Sequence, residues 1–291
     1  MKLKAESITR QNLWQTDTED VLQELKKLKT REDQFETMLF LPNNKNRKGE
    51  GGLRKKGMFK KSRYQKPLLT IITVVLNNQK QIEETILSVV NQLYNNIEYI
   101  IIDGGSTDKT KEIINKYDAV IDYWVSEKDN GIYDAMNKGC KLATGKGICF
   151  LNSGDKFVGD VFKDKINLPF LIPCKIKENE NIILDKNVTY EKLGMPTSHQ
   201  AMLFLNKRQL FNLKYKYSSD YDYFIRHGIF LNLNKNSDGY VLYDNKGLSK
   251  KNFIIRDIET LSIINKYYGI LKAMIFLLKR ILKILNKLFK S

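Results

Sequence analysis

The sequence predicts an α/β fold built on a mostly parallel sheet with helices on both faces. Apolar runs of strand length, rich in β-branched residues, recur at 68–76, 97–102, 121–126 and 147–151. Segments with helical spacing lie between them. Buried strands alternating with amphipathic helices are the pattern of a parallel sheet covered on both sides.

The elements follow in order. Residues 1–66 read as a basic extension. Thr16, Asp17 and Thr18 offer N-caps to a short helix whose Val21, Leu22, Leu25 and Leu28 share a face. The stretch 42–66 is rich in Asn, Gly, Lys and Arg and reads as a mobile basic linker. From Pro67 the texture changes. The run 68–76 is a buried strand, and 81–92 is helical through Ile82, Ile86, Val89 and Val90. The second strand, 97–102, is followed by a helix over 109–117. The third, 121–126, is followed by a helix over 133–143, and 147–151 is the fourth strand. Short strand-like pieces at 182–184, 201–205 and 240–243 and a helix over 221–230 complete the domain, which spans 67–245. Residues 246–291 are a helical tail. Its stretch 261–291 sets Lys272, Lys279, Lys283, Lys287 and Lys290 near one face, and Leu271, Met274, Leu278 and Leu282 belong to the apolar remainder. Charges recur too often for a transmembrane span of about 20 residues. A basic amphipathic helix lying in a membrane interface fits the pattern.

Composition narrows the function classes. Apolar residues make up 42% of the 291, enough for a sizeable core. Cys140, Cys149 and Cys174 have neither disulfide-framework nor zinc spacing, and a reducing cytosol is the simplest compartment. The first ten residues lack the apolar core of a signal peptide. Net charge is +16, unevenly spread. Residues 1–66 hold 17 Lys and Arg against 9 Asp and Glu, 67–245 hold 21 against 22, and 246–291 hold 11 against 2. A neutral centre between two basic ends argues against a nucleic-acid groove and for ends that meet an anionic surface.

Chemistry is expected beyond the carboxyl ends of the strands, where ligands of open parallel sheets sit. Acids cluster there: Asp103 after the second strand, Glu127 and Asp129 after the third, Asp155 after the fourth. Gly104 and Gly105 allow backbone to approach a ligand closely. Carboxylates beside a diphosphate require a divalent cation between them, Mg²⁺ or Mn²⁺, which also stabilises a departing diphosphate. The chain has no GxxxxGK[ST] loop and no GxGxxG after its first strand, which disfavours P-loop and dinucleotide-binding readings.

The run Thr70-Ile71-Ile72-Thr73-Val74-Val75-Leu76-Asn77, then Glu84-Thr85-Ile86-Leu87-Ser88-Val89, then Asp103-Gly104-Gly105-Ser106-Thr107-Asp108 resembles family 2 glycosyltransferases of the GT-A fold. So do Ser126-Glu127-Lys128-Asp129-Asn130-Gly131-Ile132-Tyr133-Asp134-Ala135-Met136-Asn137-Lys138-Gly139 and Leu151-Asn152-Ser153-Gly154-Asp155. Ser198-His199-Gln200-Ala201, Ser219-Asp220-Tyr221-Asp222-Tyr223 and the leader Gly51-Gly52-Leu53-Arg54-Lys55-Lys56-Gly57 resemble the branch that builds bacterial surface polysaccharides such as O-antigen and capsule. The resemblance implies a nucleotide-diphospho-sugar transferase fold with an N-terminal extension and a C-terminal amphipathic helix.

It also implies roles. Asp103, with Gly104, would hold the base and ribose side of the nucleotide, and Thr73, Val75 and Asn77 would line the base pocket. Glu127, Asp129, Asn137, Lys138 and Asn152 would shape the sugar-nucleotide site, and Asp155 would sit at the metal and diphosphate. Gly154 stands where the family's usual acidic pair has an acid, a variant familiar in that branch. Asp220 and Asp222 are the candidate bases for an inverting transfer, with a capping role as the alternative. His199 joins them as a contact to acceptor phosphate or metal, or as a buried structural residue. On family grounds the donor is expected to be a UDP-sugar, hexose or N-acetylhexosamine. The acceptor is expected to be a lipid-linked or lipopolysaccharide glycan at the cytoplasmic membrane surface. A catalytically inactive scaffold of this fold and a nucleotidyltransferase are the competing readings.

Overall fold

A computed structural model describes residues 14–15, 35–63, 66–162, 166–178, 181–184, 195, 197–227, 232–233, 237–244 and 252–288. The helix expected around Val21 to Leu28, and Lys290 of the tail, lie outside them.

In chain order the strands are β1 (Trp14–Gln15), β2 (Gly49–Gly51), β3 (Met58–Phe59), β4 (Leu69–Val75), β5 (Ile97–Asp103), β6 (Tyr123–Ser126) and β7 (Gly147–Phe150), followed by β8 (Lys156–Val158), β9 (Phe170–Leu171), β10 (Cys174–Glu178), β11 (Asn181–Leu184), β12 (Met202–Leu205), β13 (Asn232–Leu233) and β14 (Tyr240–Asp244). The helices are α1 (Ile82–Val90), α2 (Thr110–Lys116), α3 (Ile132–Leu142), α4 (Ser219–His227), α5 (Phe253–Tyr268) and α6 (Ile270–Leu288). The main sheet runs β13-β9-β12-β7-β4-β5-β6-β2. Its centre, β7-β4-β5-β6, is parallel, as expected, with Leu69 opposite both Ile97 and Gly147. β12 and β2 flank that centre antiparallel. A smaller sheet, β11-β10-β14-β8, lies beyond β7 in sequence.

Every residue of β4 and β5 is buried, because the sheet is covered on both faces. Leu69, Ile71 and Val75 pack on one face against Ile82, Ile86 and Val89 of α1 and Ile114 of α2. Ile72 and Val74 pack on the other against Ala135, Met136 and Cys140 of α3 and Tyr223 of α4. Strand order places β4 between β5 and β7, so the chain switches direction across the sheet at β4. The crevice at such a switch point is where ligands of this architecture bind.

Two parts of the chain differ from the expectation. The stretch 42–66 reads as a linker, but its residues 42–63 are built into the domain. β2 extends the sheet beside β6, and Leu53 and Phe59 are buried. Two cations anchor it. Arg54 Nη2 bonds Glu98 Oε1 at 2.6 Å, and Lys60 Nζ bonds Asp122 Oδ2 at 2.6 Å, all four side chains nearly inaccessible. Burial opposes a charge on Glu98, but Arg54 and the bonds from Thr144 and Thr70 outweigh it and hold the carboxyl below the usual range. The composition that suggests a solvated linker is therefore partly interior.

The tail is a hairpin rather than one helix. α5 ends at Gly269, whose φ of 82° lies in the region that favours glycine. α6 then folds back on α5. Asp257 pairs with Arg280 near the open ends, and Ile263, Ile264 and Ala273 are buried near the corner. An amphipathic pattern that continues through one glycine hides this break.

His227 closes α4 inside the core. Its Nδ1 donates to the Tyr223 carbonyl at 3.0 Å, which leaves Nε2 unprotonated and without a partner in its buried position. Burial depresses the ring from 6.5 to about 4. The unfolded chain would take up a proton below about 6.5, so the stability from a neutral His227 is complete above that pH and is lost as pH falls toward 4. Linkage puts the loss at up to about 3 kcal/mol. Urea midpoints between pH 7 and 4 should fall more steeply for the native chain than for His227→Phe, and parallel profiles would refute the assignment. Arg54→Ala should cost about 3 kcal/mol in urea unfolding by leaving Glu98 buried and unpaired, whereas a detachable linker would leave stability unchanged.

Candidate active site

The site grows from the carboxyl ends of β4, β5, β6 and β7. Asp103 is the last residue of β5 and is fully buried. Its carboxylate accepts the Ser106 amide at 3.1–3.2 Å, the Ser106 hydroxyl, and the Ser126 hydroxyl at 2.5 Å. Ser106 Oγ in turn accepts the Asn77 amide at 2.8 Å. Asn77, at φ 51°, accepts the Thr107 amide at 2.8 Å on its side-chain oxygen. Asp103 and Asn77 thus shape the loop 104–108 through protein partners. Thr73 and Val75 lie in β4 itself. The Thr73 hydroxyl is 3.1 Å from that of Tyr99, and Val75 belongs to the core facing α1.

Beside them, Glu127 is bound by Lys138 Nζ at 2.9 Å and Arg47 Nε at 3.0 Å. Burial works against its charge, but these two cations outweigh it and hold the carboxyl below its usual range. Asp129 behaves in the opposite way, and burial raises it. Its Oδ1 accepts the Gly131 amide at 2.9 Å, and its Oδ2 comes so close to Gly104 that a Cβ there would collide with it. Two neighbouring acids on one loop are therefore tuned apart. Asn137, buried on α3, exchanges hydrogen bonds with the backbone of Phe211, its Nδ2 to the carbonyl at 3.0 Å and its Oδ1 from the amide at 2.7 Å. It fixes the loop that leads to α4.

The turn after β7 supplies the last wall. Asp155 is buried and accepts Gln200 Nε2 at 2.9 Å. Asn152 Nδ2 lies 3.3 Å from His199 Nε2, and its Oδ1 is buried without a partner. His199 Nδ1 faces Asp220 Oδ2 at 3.3 Å. Asp220 Oδ1 also accepts the Tyr133 hydroxyl at 3.2 Å and the Tyr221 amide at 2.9 Å. Asn152, His199 and Asp220 form one polar line from the sheet edge to α4. For that line to be bonded throughout, His199 carries its proton on Nδ1, donates to Asp220 and accepts from Asn152.

Asp222 departs from this line. Two residues along a helix point nearly opposite ways. The Asp222 side chain is fully buried, bound by Arg226 Nε at 2.7 Å and the Tyr267 hydroxyl at 3.0 Å, with Lys266 Nζ at 3.7 Å. It joins α4 to α5, whereas Asp220 keeps 23% exposure and faces His199.

Three contributors escape a reading of local sequence. Arg47 and Lys48, from the stretch read as linker, reach Glu127 and the Gly105 carbonyl, the latter at 2.7 Å. Tyr133, buried on α3, reaches Asp220, and burial raises its hydroxyl well above its ordinary value. The only advance signal for Arg47 and Lys48 is their place just before the Gly51 leader motif.

Residues 70–164 match the model of the family described as Glycosyl transferase family 2. An uncharacterized glycosyltransferase of Mycobacterium tuberculosis is 40% identical over 94 residues, 32% of this chain and 36% of that protein. Bacillus subtilis TuaG, a glycosyltransferase assigned to teichuronic acid biosynthesis, is 35% identical over 112 residues, 38% of this chain and 44% of TuaG. The matches thus span less than half of these curated relatives. Among solved structures, S. aureus TarS 1–349 in complex with UDP superposes with a TM-score of 0.51 at 15% identity, over 68% of this chain and 65% of TarS 1–349. At that identity the likeness speaks for the fold. The chain therefore has a GT-A-like α/β fold, and its residues 70–164 are similar to the family described as Glycosyl transferase family 2.

Proposed function

We propose that the protein is an inverting glycosyltransferase that moves a sugar from a nucleotide-diphosphate donor, UDP-linked, to a hydroxyl of a lipid-linked or lipopolysaccharide glycan. It would work at the cytoplasmic membrane surface, in cell-surface polysaccharide biosynthesis. The single observation that carries this reading is the polar line Asn152–His199–Asp220, which joins the strand-end crevice to a partly exposed carboxylate on α4. The family match, the relatives named as glycosyltransferases and the UDP bound to TarS are consistent with it.

The nucleotide would lie across the loops after β4, β5 and β6. Asp103 and Asn77 set their backbone, Gly104 lets the Asp129 carboxylate close on that loop, and Glu127, Asp129 and Lys138 would border the donor. The residues present suit a divalent ion, Mg²⁺ or Mn²⁺. Among the described residues no three His, Cys, Asp or Glu side chains gather into a cage. The turn after β7 instead offers the Asp155 carboxylate and the orphaned Asn152 Oδ1. Such a set fits an ion that takes one or two protein ligands and fills its shell with phosphate oxygens and water. When bound, it would neutralise the diphosphate as charge develops there.

Asp220 is the base this geometry favours. It would take the proton from the acceptor hydroxyl. The oxygen would bond the anomeric carbon while the bond to the diphosphate oxygen breaks, and that electron pair would leave with the nucleotide. His199 and Tyr133 hold the carboxylate in place. Asp222, buried and paired, has no path to an acceptor.

UDP with Mn²⁺ should raise the melting temperature of the native chain by binding the folded state, a gain of about 2.7 kcal/mol at a hundredfold excess over Kd. Asp155→Asn should lose the Mn²⁺-dependent part of that shift, and a shift indifferent to Mn²⁺ would remove Asp155 from the metal. Asp220→Asn should keep the UDP shift and lose about 10²-fold or more in sugar transfer. Asp222→Asn should instead lower the urea midpoint, by about 3 kcal/mol in stability. If Asp220→Asn retained full turnover, the base would be elsewhere.

A further inference from the structure

We propose that the hairpin α5–α6 is a docking surface for an anionic lipid bilayer, entered by one stripe of α6 and tied through α5 to the helix that carries Asp220. The inference extends the transfer reading, whose acceptor is lipid-linked, by naming the face on which that acceptor would be met.

α6 packs on its neighbours through Ala273, Phe276 and Arg280, which share one face. Turned away from them are Leu271, Met274, Leu278, Ile281, Leu282 and Leu285, each at least 42% exposed. At 100° per residue these six cover an arc of about a quarter-turn or more, running the length of the helix. Among the described residues nothing covers it. Apolar surface of this extent on a charged body calls for cover. Lys272 and Lys279, seven residues apart, lie along one edge of the stripe. No helix among the described residues is long and apolar enough to cross a membrane. A wide apolar face bordered by lysines suits the headgroup boundary, with the apolar side chains below and the ammonium groups among lipid phosphates.

Charge selects the lipid over a second copy of the chain. Residues 246–291 hold 11 Lys and Arg against 2 Asp and Glu. Pairing two such hairpins would bring like charges together, whereas anionic headgroups complement them.

The tie to α4 is equally specific. Glu259 of α5 accepts the amides of Lys216, Tyr217 and Ser218 at 2.8–2.9 Å, just ahead of α4. Asp222 accepts the Tyr267 hydroxyl at 3.0 Å, and Tyr221 packs with Ile263 and Ile264. Docking the hairpin therefore fixes α4, and Asp220 with it, relative to the bilayer plane.

The test is co-flotation of the full chain with vesicles of phosphatidylcholine alone or mixed with phosphatidylglycerol. Binding should appear with the anionic vesicles and weaken with added salt. Leu278→Glu with Leu282→Glu should reduce it roughly tenfold or more. Lys272→Glu with Lys279→Glu should reduce binding to the anionic vesicles and leave the weak binding to neutral ones. The UDP thermal shift of each variant reports folding separately, so loss of vesicle binding with the shift intact counts for the docking face. Absence of a UDP shift in the native chain would count against the transfer reading alone. Failure of the native chain to float with any vesicle would overturn the proposal. So would equal flotation of the Leu278/Leu282 variant, or a dimer in sedimentation that the same variant disperses.

Discussion

The site depends on one buried carboxylate. Asp103 ends β5 with no exposure and satisfies its oxygens through Ser106 and Ser126. Ser106 also accepts the amide of Asn77, so the ends of β4, β5 and β6 meet at a single cluster. A buried carboxylate is tolerable only when hydrogen bonds replace its water. Here the donors that do so belong to the loops a ligand would touch. The price of burying the acid is thereby converted into a fixed loop, and the backbone that would meet a nucleotide is set before any ligand arrives.

The parallel core was legible because both its faces are covered, which makes strands such as 97–102 continuously apolar and their polar ends conspicuous. The acids after those strands stood out for the same reason. The strap over 42–66 was not legible, since what orders it is distant in sequence. Arg54 and Glu98 are 44 residues apart, Lys60 and Asp122 are 62 apart, and a local window sees only unpaired basic residues. Two-residue strands such as β9 and β13 carry no period at all. Within the site, Asp220 and Asp222 look equivalent in sequence. Only the helix geometry separates a carboxylate that faces His199 from one locked to Arg226 and Tyr267.

α4 therefore has two jobs on two faces. One face completes the crevice, through Asp220 and its contacts with His199 and Tyr133. The other anchors α5 through Asp222, Arg226 and the cluster around Tyr221. Asn137 on α3 pins the loop leading into α4 from the sheet side. Such a helix cannot shift toward one partner without drawing on the other, so the placement of the Asp220 carboxylate and the packing of the hairpin are one mechanical problem.

The ion pairs of the strap also change how charge is distributed over the molecule. Arg47, Arg54, Lys56 and Lys60 meet Glu127, Glu98, Asp118 and Asp122, all acids of the sheet domain. Four cations of what the sequence shows as a basic N-terminal end are thus answered from within, while residues 246–291 hold 11 Lys and Arg against 2 Asp and Glu. A body charged in this way has a permanent dipole. A negatively charged plane exerts a torque on such a dipole at a distance and turns it before contact. With the hairpin as the docking face, arrival in the correct orientation would cost little rotational search, and salt would slow it by shortening the reach of that torque.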